Sequence, residues 1–267
     1  MRKKTVSRAV DATAADDKID ARPKAHIRAA NLREILSAAE QVFARHGFQG
    51  ATIAEVARVS GLTKPSVHYY VGTKEKLYRM LLQDVDTQWR RELDDWILPQ
   101  FTPAEAFAGY IRAKMAHSRD RPFASRVFAN ELLHGAPYLK RYLGMTLRQH
   151  VERKTQVVRD WIARGLMEPI DPTHLFFNIW AMTQTYADFE SQICAVLAVG
   201  ALDRTTFATA TDTILKLVLD GCGIRPTLSA ELAACNSISP IASSLSPAPE
   251  AVSGRRRRPT SVVPARR

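Results

Sequence analysis

Lys64, Ser66, His68 and Tyr69 fall within one short stretch of the chain, and each carries a hydrogen-bond donor: ammonium, hydroxyl, imidazole or phenol. Such a set can bond phosphate oxygens and the base edges displayed in the grooves of a duplex. Lys74 follows at the first residue of a further helical segment, where a cation and a row of free backbone N–H groups face the same anion. A second constellation lies far downstream. Trp180, Gln184 and Asp188 recur every four residues, so one stripe of a helix presents an indole, a carboxamide and a carboxylate. The carboxamide donates and accepts at once, which matches the edge of a planar imide, while Trp180 and Trp89 supply ring faces for stacking. Tyr186, Arg126 and Glu131 are further candidates for closing such a site. A plainer reading keeps Trp180 in a core and spends Gln184 and Asp188 on buried polar groups or a dimer interface.

The elements that must hold these side chains are helices. Thr52 followed by Glu55 has the spacing of a capping box, which fixes where a short helix starts. Ile53, Val56 and Ala57 form its inner face, and Gly61 supplies the positive φ of a tight turn. Thr63 caps the next helix, Pro65 fits its first turn, and Val67 and Tyr70 form its inner face. Gly72 ends it, and Thr73 caps a longer helix. A small residue, a glycine four positions on and an apolar residue six later is the spacing of a DNA-binding helix-turn-helix, met here by Ala57, Gly61 and Val67. Its second helix is the reader, and Thr52, Thr63 and Pro65 join Lys64, Ser66, His68, Tyr69 and Lys74 as the candidate DNA-binding set.

Apolar periodicity places the remaining helices at about 31–47, 74–95, 102–118, 121–133, 137–164, 172–198 and 203–222, the last two capped by Asp171 and Asp203. With the two short ones this makes an all-α chain of nine helices. Residues 28–78 form the expected DNA-binding domain and 79–224 a second helical domain.

The stretch "ATIAEVARVSGLTKPSVHYYVGTKEKLY" resembles the N-terminal domain of TetR-family transcriptional regulators, and the resemblance runs from 31 to about 80 without gaps. It implies a homodimer with one reading head per subunit on a double-stranded operator. It also implies a C-terminal ligand-binding domain whose segments 172–198 and 203–222 form a four-helix dimer bundle. Val71 departs from the pattern, in which an aromatic is common after the paired tyrosines. Residues 110–139 and 169–197 are similar to pyrimidine-sensing members of that family, whose ligands, uracil and thymine, lower operator affinity.

Composition narrows the classes. The net charge of +11 resides mainly at the chain ends: residues 1–30 and 225–267 carry nine of the eleven charges, and 79–224 are balanced. The ends read as disordered basic segments, 1–27 an arm and 225–267 a Ser/Pro/Ala-rich tail with "RRRR" at 255–258. No apolar run is long enough to cross a bilayer and no signal peptide is evident, so a cytoplasmic protein without membrane attachment is expected. Cys194, Cys222 and Cys235 are too far apart in sequence to suggest a disulfide framework or zinc site, and read as reduced thiols. The scattered His117, His134, His150 and His174 match no catalytic motif, and neither enzyme chemistry, metal nor cofactor is expected. Two rival readings stay open. One is a regulator of the same kind sensing a drug or acyl compound through Phe107, Phe123, Phe128, Phe176, Phe177 and Phe189. The other is a nucleoid-like binder that uses its basic ends without sequence preference.

Overall fold

The computed structural model describes residues 13–224, with side chains from His26 onward, and every regular element among them is helical. The order is α1 (Thr13–Gly50), α2 (Ile53–Ser60), α3 (Lys64–Val71), α4 (Lys74–Trp96), α5 (Pro103–Asp120) and α6 (Pro122–Leu133). There follow α7 (Lys140–Tyr142), a π-helical turn (Leu143–Leu147), α8 (Arg148–Ala163), α9 (Pro172–Asp188), α10 (Glu190–Leu197) and α11 (Arg204–Gly221). None of these helices is long and apolar enough to cross a membrane. The basic tail from 225, with "RRRR" and Cys235, and the first twelve residues of the arm lie outside the described residues.

The all-α class is as expected, but three helix boundaries differ. α1 starts at Thr13 instead of Asn31, because the apolar period marks where the helix becomes buried and not where it begins. Ile35, Ala39, Val42 and Phe43 are buried, and the helix runs on N-terminally of them, so part of the expected arm is helical backbone. The expected helix at 137–164 is interrupted by the π turn, and that at 172–198 breaks at Phe189 into α9 and α10. Gly47 does leave helical geometry, with φ of 63°. Cys222 is buried, and Cys194 on α10 is half-buried.

Two apolar cores follow one another along the chain. The first joins α1, α2, α3 and the N-terminal half of α4 with Ala124, Val127 and Phe128 of α6. The second joins Leu93 and Ile97, at the far end of α4, with α5, α8, α9 and α11. α5 packs on α4, α9 and α11 and so forms the spine of that second core. Gly109 of α5 lies against α4, where an added Cβ would stand 1.9 Å from the Trp96 ring. Gly109→Ala should therefore lower stability by about 1–3 kcal/mol, since neither the indole nor the helix can yield without strain. Urea unfolding checks this as a lower midpoint at unchanged slope.

Candidate functional site

The first site is the outer face of α2 and α3. Thr52 Oγ1 accepts from Glu55 N at 3.1 Å, Thr63 Oγ1 from Ser66 N at 3.3 Å, and Thr73 Oγ1 from Lys76 N at 3.1 Å, so three threonines set three helix starts. The Thr52 box is only half closed, because Glu55 turns to Arg58 at 2.7 and 3.0 Å instead of reaching back. The reciprocal box forms at Thr102 and Glu105. Gly61 takes φ of 69° between α2 and α3, and Leu62 N donates to Ala57 O. Val67 and Val71 are fully buried, so valine fills the place where an aromatic was expected without leaving the core.

Lys64, Pro65, His68 and Tyr69 are exposed and Ser66 is half-buried, all on the side of α3 away from Val67. His68 Nδ1 lies 2.7 Å from Gly72 O, a contact that requires the proton on Nδ1. Lys74 is placed differently from the expectation. Its Nζ donates to the carbonyls of Phe48, Gln49 and Ala51 at 2.9, 3.3 and 3.1 Å and stands over the Phe48 ring. It thus caps the C-terminal end of α1 and ties it to α4; three carbonyls occupy the ammonium meant for a phosphate.

The second site is a partly open cavity of about 100 Å³ between α4, α5, α6, the π turn, α8 and α9. Trp89, Trp180 and Gln184 line it. Trp180 Nε1 donates to Tyr110 Oη at 2.7 Å, and the Gln184 carboxamide has no partner among the described residues. Leu143 and Leu147 enter from the π turn, whose wider coil turns both toward the same wall.

The other four candidates lie elsewhere. Asp188 accepts from Ser125 Oγ at 2.7 Å, since eight residues along a helix rotate a side chain by roughly 80° away from Trp180. Arg126 binds Ala187 O and Glu190 and links α6 to the α9–α10 junction. Glu131 accepts from Tyr78 Oη and Tyr138 N and fastens α6 to α4. Tyr186 packs toward Phe207 of α11. Among the phenylalanines considered for an apolar pocket, Phe128 lines this cavity, Phe107 and Phe176 are buried core, and Phe177 and Phe189 are exposed.

Sequence reasoning missed Lys114, Tyr110, Arg90, Asp86 and His150, which also line the cavity. Lys114 is buried, lies 3.9 Å above the Trp89 ring, and has no hydrogen bond or ion pair among the described residues. Burial pushes its ammonium down to about 8, against the opposing pull of Glu92. Burial likewise raises the Glu92 carboxyl to about 7 despite Lys114. His117 stands 3.7 Å from Glu92, but burial first, and Lys114 and Arg121 next, push it down to about 3, so the imidazole is neutral and the contact is no ion pair at neutral pH. Tyr110 and Lys114 sit at i and i+4 on the same face of α5 as Ile111 and Met115; a lysine on an otherwise apolar face was the available signal.

Comparison with known proteins identifies the family. Residues 35–81 match the model described as "Bacterial regulatory proteins, tetR family", and residues 82–225 match "YcdC-like protein, C-terminal region". The chain is 37% identical over 203 residues to the HTH-type transcriptional regulator RutR of Escherichia coli (strain K12), covering 74% of this chain and 92% of that protein. A putative transcriptional regulator from Streptomyces coelicolor, SCO4942, superposes with a TM-score of 0.52 at 26% identity over 72% of this chain and 98% of its own. AibR, in complex with isovaleryl coenzyme A and operator DNA, shares the fold with a TM-score of 0.56 at 16% identity, covering 70% and 97%. The chain belongs to the TetR family of helix-turn-helix transcriptional regulators.

The buried lysine has a measurable signature. Between pH 8 and its ordinary 10.5, an unfolded chain still holds the proton that folded Lys114 has released, so the unfolded state binds more protons and stability rises with pH. Lys114→Met should remove that part of the rise. Guanidinium unfolding of both proteins at pH 7.5, 8.5 and 9.5 checks it; parallel curves would mean that Lys114 stays charged in the fold.

Proposed function

We propose that this regulator is a repressor that binds a palindromic operator as a homodimer and is released by a small planar imide, uracil or thymine. The observation that carries the effector assignment is the convergence of Trp89, Trp180 and Gln184 on one cavity. The Gln184 carboxamide can pair with the N–H and one carbonyl of an imide edge, and Lys114 Nζ or the Tyr110 hydroxyl can donate to the other carbonyl. The indoles provide apolar faces for the ring. The similarity to RutR supports the same class of regulator, and the likeness of 110–139 and 169–197 to pyrimidine sensors supports the ligand.

The dimer is supported by apolar side chains left open on the two helices expected to pair: Phe177 of α9 is 47% exposed and Leu217 of α11 is 60% exposed. Residues of α3 then act in pairs, one head per half-site. Lys64 and Ser66 stand near the N-terminus of the reading helix, the end that approaches base edges, and His68 lies further along it.

A regulator of apolar or acyl ligands is the second reading, favoured by the Leu93, Phe128, Leu132, Leu143 and Leu147 walls and by the isovaleryl coenzyme A carried by AibR. The small cavity argues against it, since drug-sized sites run to roughly 300–1,000 Å³. Calorimetric titration of the full chain separates the two. Uracil or thymine should bind, and should release operator in a mobility-shift assay; Gln184→Leu should weaken binding at least tenfold by leaving imide groups unpaired. Binding of an acyl compound, with no heat from either pyrimidine, would give the assignment to the second reading.

A further inference from the structure

Arg28 belongs to neither site. Its guanidinium stands over the Tyr69 ring, 5.9 Å from the centroid, and Tyr69 is 73% exposed on the outer face of α3. The Tyr69 ring also meets Tyr70 at 5.4 Å and 82°, and the Tyr70 hydroxyl accepts from Asn31 Nδ2 at 2.8 Å. Arg28, Asn31 and Ile35 follow one stripe of α1, which leads from a fully buried residue out to the edge of the reading face. α1 continues N-terminally past this point to Thr13, so Arg28 is carried on a helix and not on a chain end.

Two features of this pair point to an anion. Arg28 is exposed and has no hydrogen bond or ion pair among the described residues. A guanidinium that lies over a ring keeps its N–H donors directed outward in its own plane, free to fork two oxygens of one phosphate. Its position says which phosphate. A recognition helix brings its N-terminal residues to the base edges, while neighbouring elements cross the sugar-phosphate backbone. Tyr69 is near the C-terminal end of α3, and Arg28 comes from the adjoining helix.

We propose that Arg28 and Tyr69 together grip a phosphate of the DNA strand bordering the groove that α3 enters, making the N-terminal part of α1 a second DNA-binding element of each head. The proposal rests on the helix-turn-helix reading. Arg28 supplies the charge and Tyr69 the platform and a hydroxyl donor. The contact adds affinity and fixes the approach of α3 without choosing a base.

The test uses full-length wild type, Arg28→Gln, Arg28→Lys and Tyr69→Phe. Each is titrated from 50 to 300 mM salt against a duplex selected from a random pool by the wild type, and against an unrelated duplex of equal length. Circular dichroism confirms the fold. Arg28→Gln should make the slope of log K against log salt shallower by about 0.9 for each bound protomer and weaken binding about fivefold per protomer near 0.15 M, with base preference unchanged. Arg28→Lys should keep the wild-type slope, and Tyr69→Phe should lose affinity at constant slope. Unchanged slope and affinity in Arg28→Gln would overturn the proposal. So would an equal loss in Arg28→Lys, which would make Arg28 a clasp for Tyr69 instead of a phosphate ligand. If the wild type selects no preferred duplex, the helix-turn-helix reading fails, and Arg28 is still judged by the slope on the unrelated duplex.

Discussion

α4 is held by both cores, and the rest of the molecule is arranged around that constraint. Its 23 residues rise about 35 Å. Leu77, Tyr78, Leu81, Leu82 and Val85 are packed among α1, α2 and α3, while Leu93 and Ile97 are packed with α5 and α8. Trp89 lies between these anchors, against the cavity. The near end is pinned as well: Thr73 caps the helix and Lys74 grips the carbonyls that follow Gly47. A helix packed along both ends therefore joins the cavity wall at Trp89 to the turn that seats α2 and α3.

α6 adds a second connection beside the first. Ala124 and Val127 pack into the core of the reading head, and Phe128 touches both that core and the cavity. At the α5–α6 junction, Arg121 donates to Glu40 of α1 and to Asp84 and Gln88 of α4, the last two at 2.7 and 2.6 Å. Burial raises the Glu40 carboxyl and Arg121 opposes that shift, so the guanidinium holds a charge that would otherwise be poorly solvated. Tyr78 and Glu131 fasten the same helices one layer away. Four helices from the two cores therefore meet through short polar contacts set in an apolar seam, where relative sliding would break several bonds together.

The parts legible in the sequence are those governed by local chemistry. Three threonine caps, Gly61 and the inner-facing Val67 each act through neighbours within a few residues, so spacing alone located α2, α3 and the start of α4. Trp180 and Gln184, one turn apart, were likewise found together. Illegible features depend on distant partners or on small departures from helical register. Asp188 left the stripe because the turn is not four residues long, and Phe189 ends the helix there. The π turn left no trace in the apolar period, which runs on through Leu143 and Leu147. Lys74 looked like an anion ligand because nothing in its own segment reveals that the carbonyls of Phe48, Gln49 and Ala51 lie within reach. Lys114 was overlooked for the reverse reason: a lysine reads as solvated until its surroundings are known.

Those surroundings bear on what the cavity accepts. Lys114, Tyr110 and Gln184 all line the same small space, and the Lys114 ammonium and the Gln184 carboxamide have no hydrogen-bond partner among the described residues. A buried polar group left unpaired costs about 1–3 kcal/mol, so a wholly apolar ligand that displaced water from these groups would bind at a penalty even with good contact to the leucines. A ligand with two carbonyls flanking an N–H can satisfy several of them together. If the cavity is the effector site as proposed, discrimination runs in this direction, because a site built to hydrogen-bond rejects an analogue that lacks the matching groups far more firmly than an apolar pocket rejects an extra methylene. On the proposed reading, the apolar walls are the mould for a flat ring and the unpaired donors select among rings.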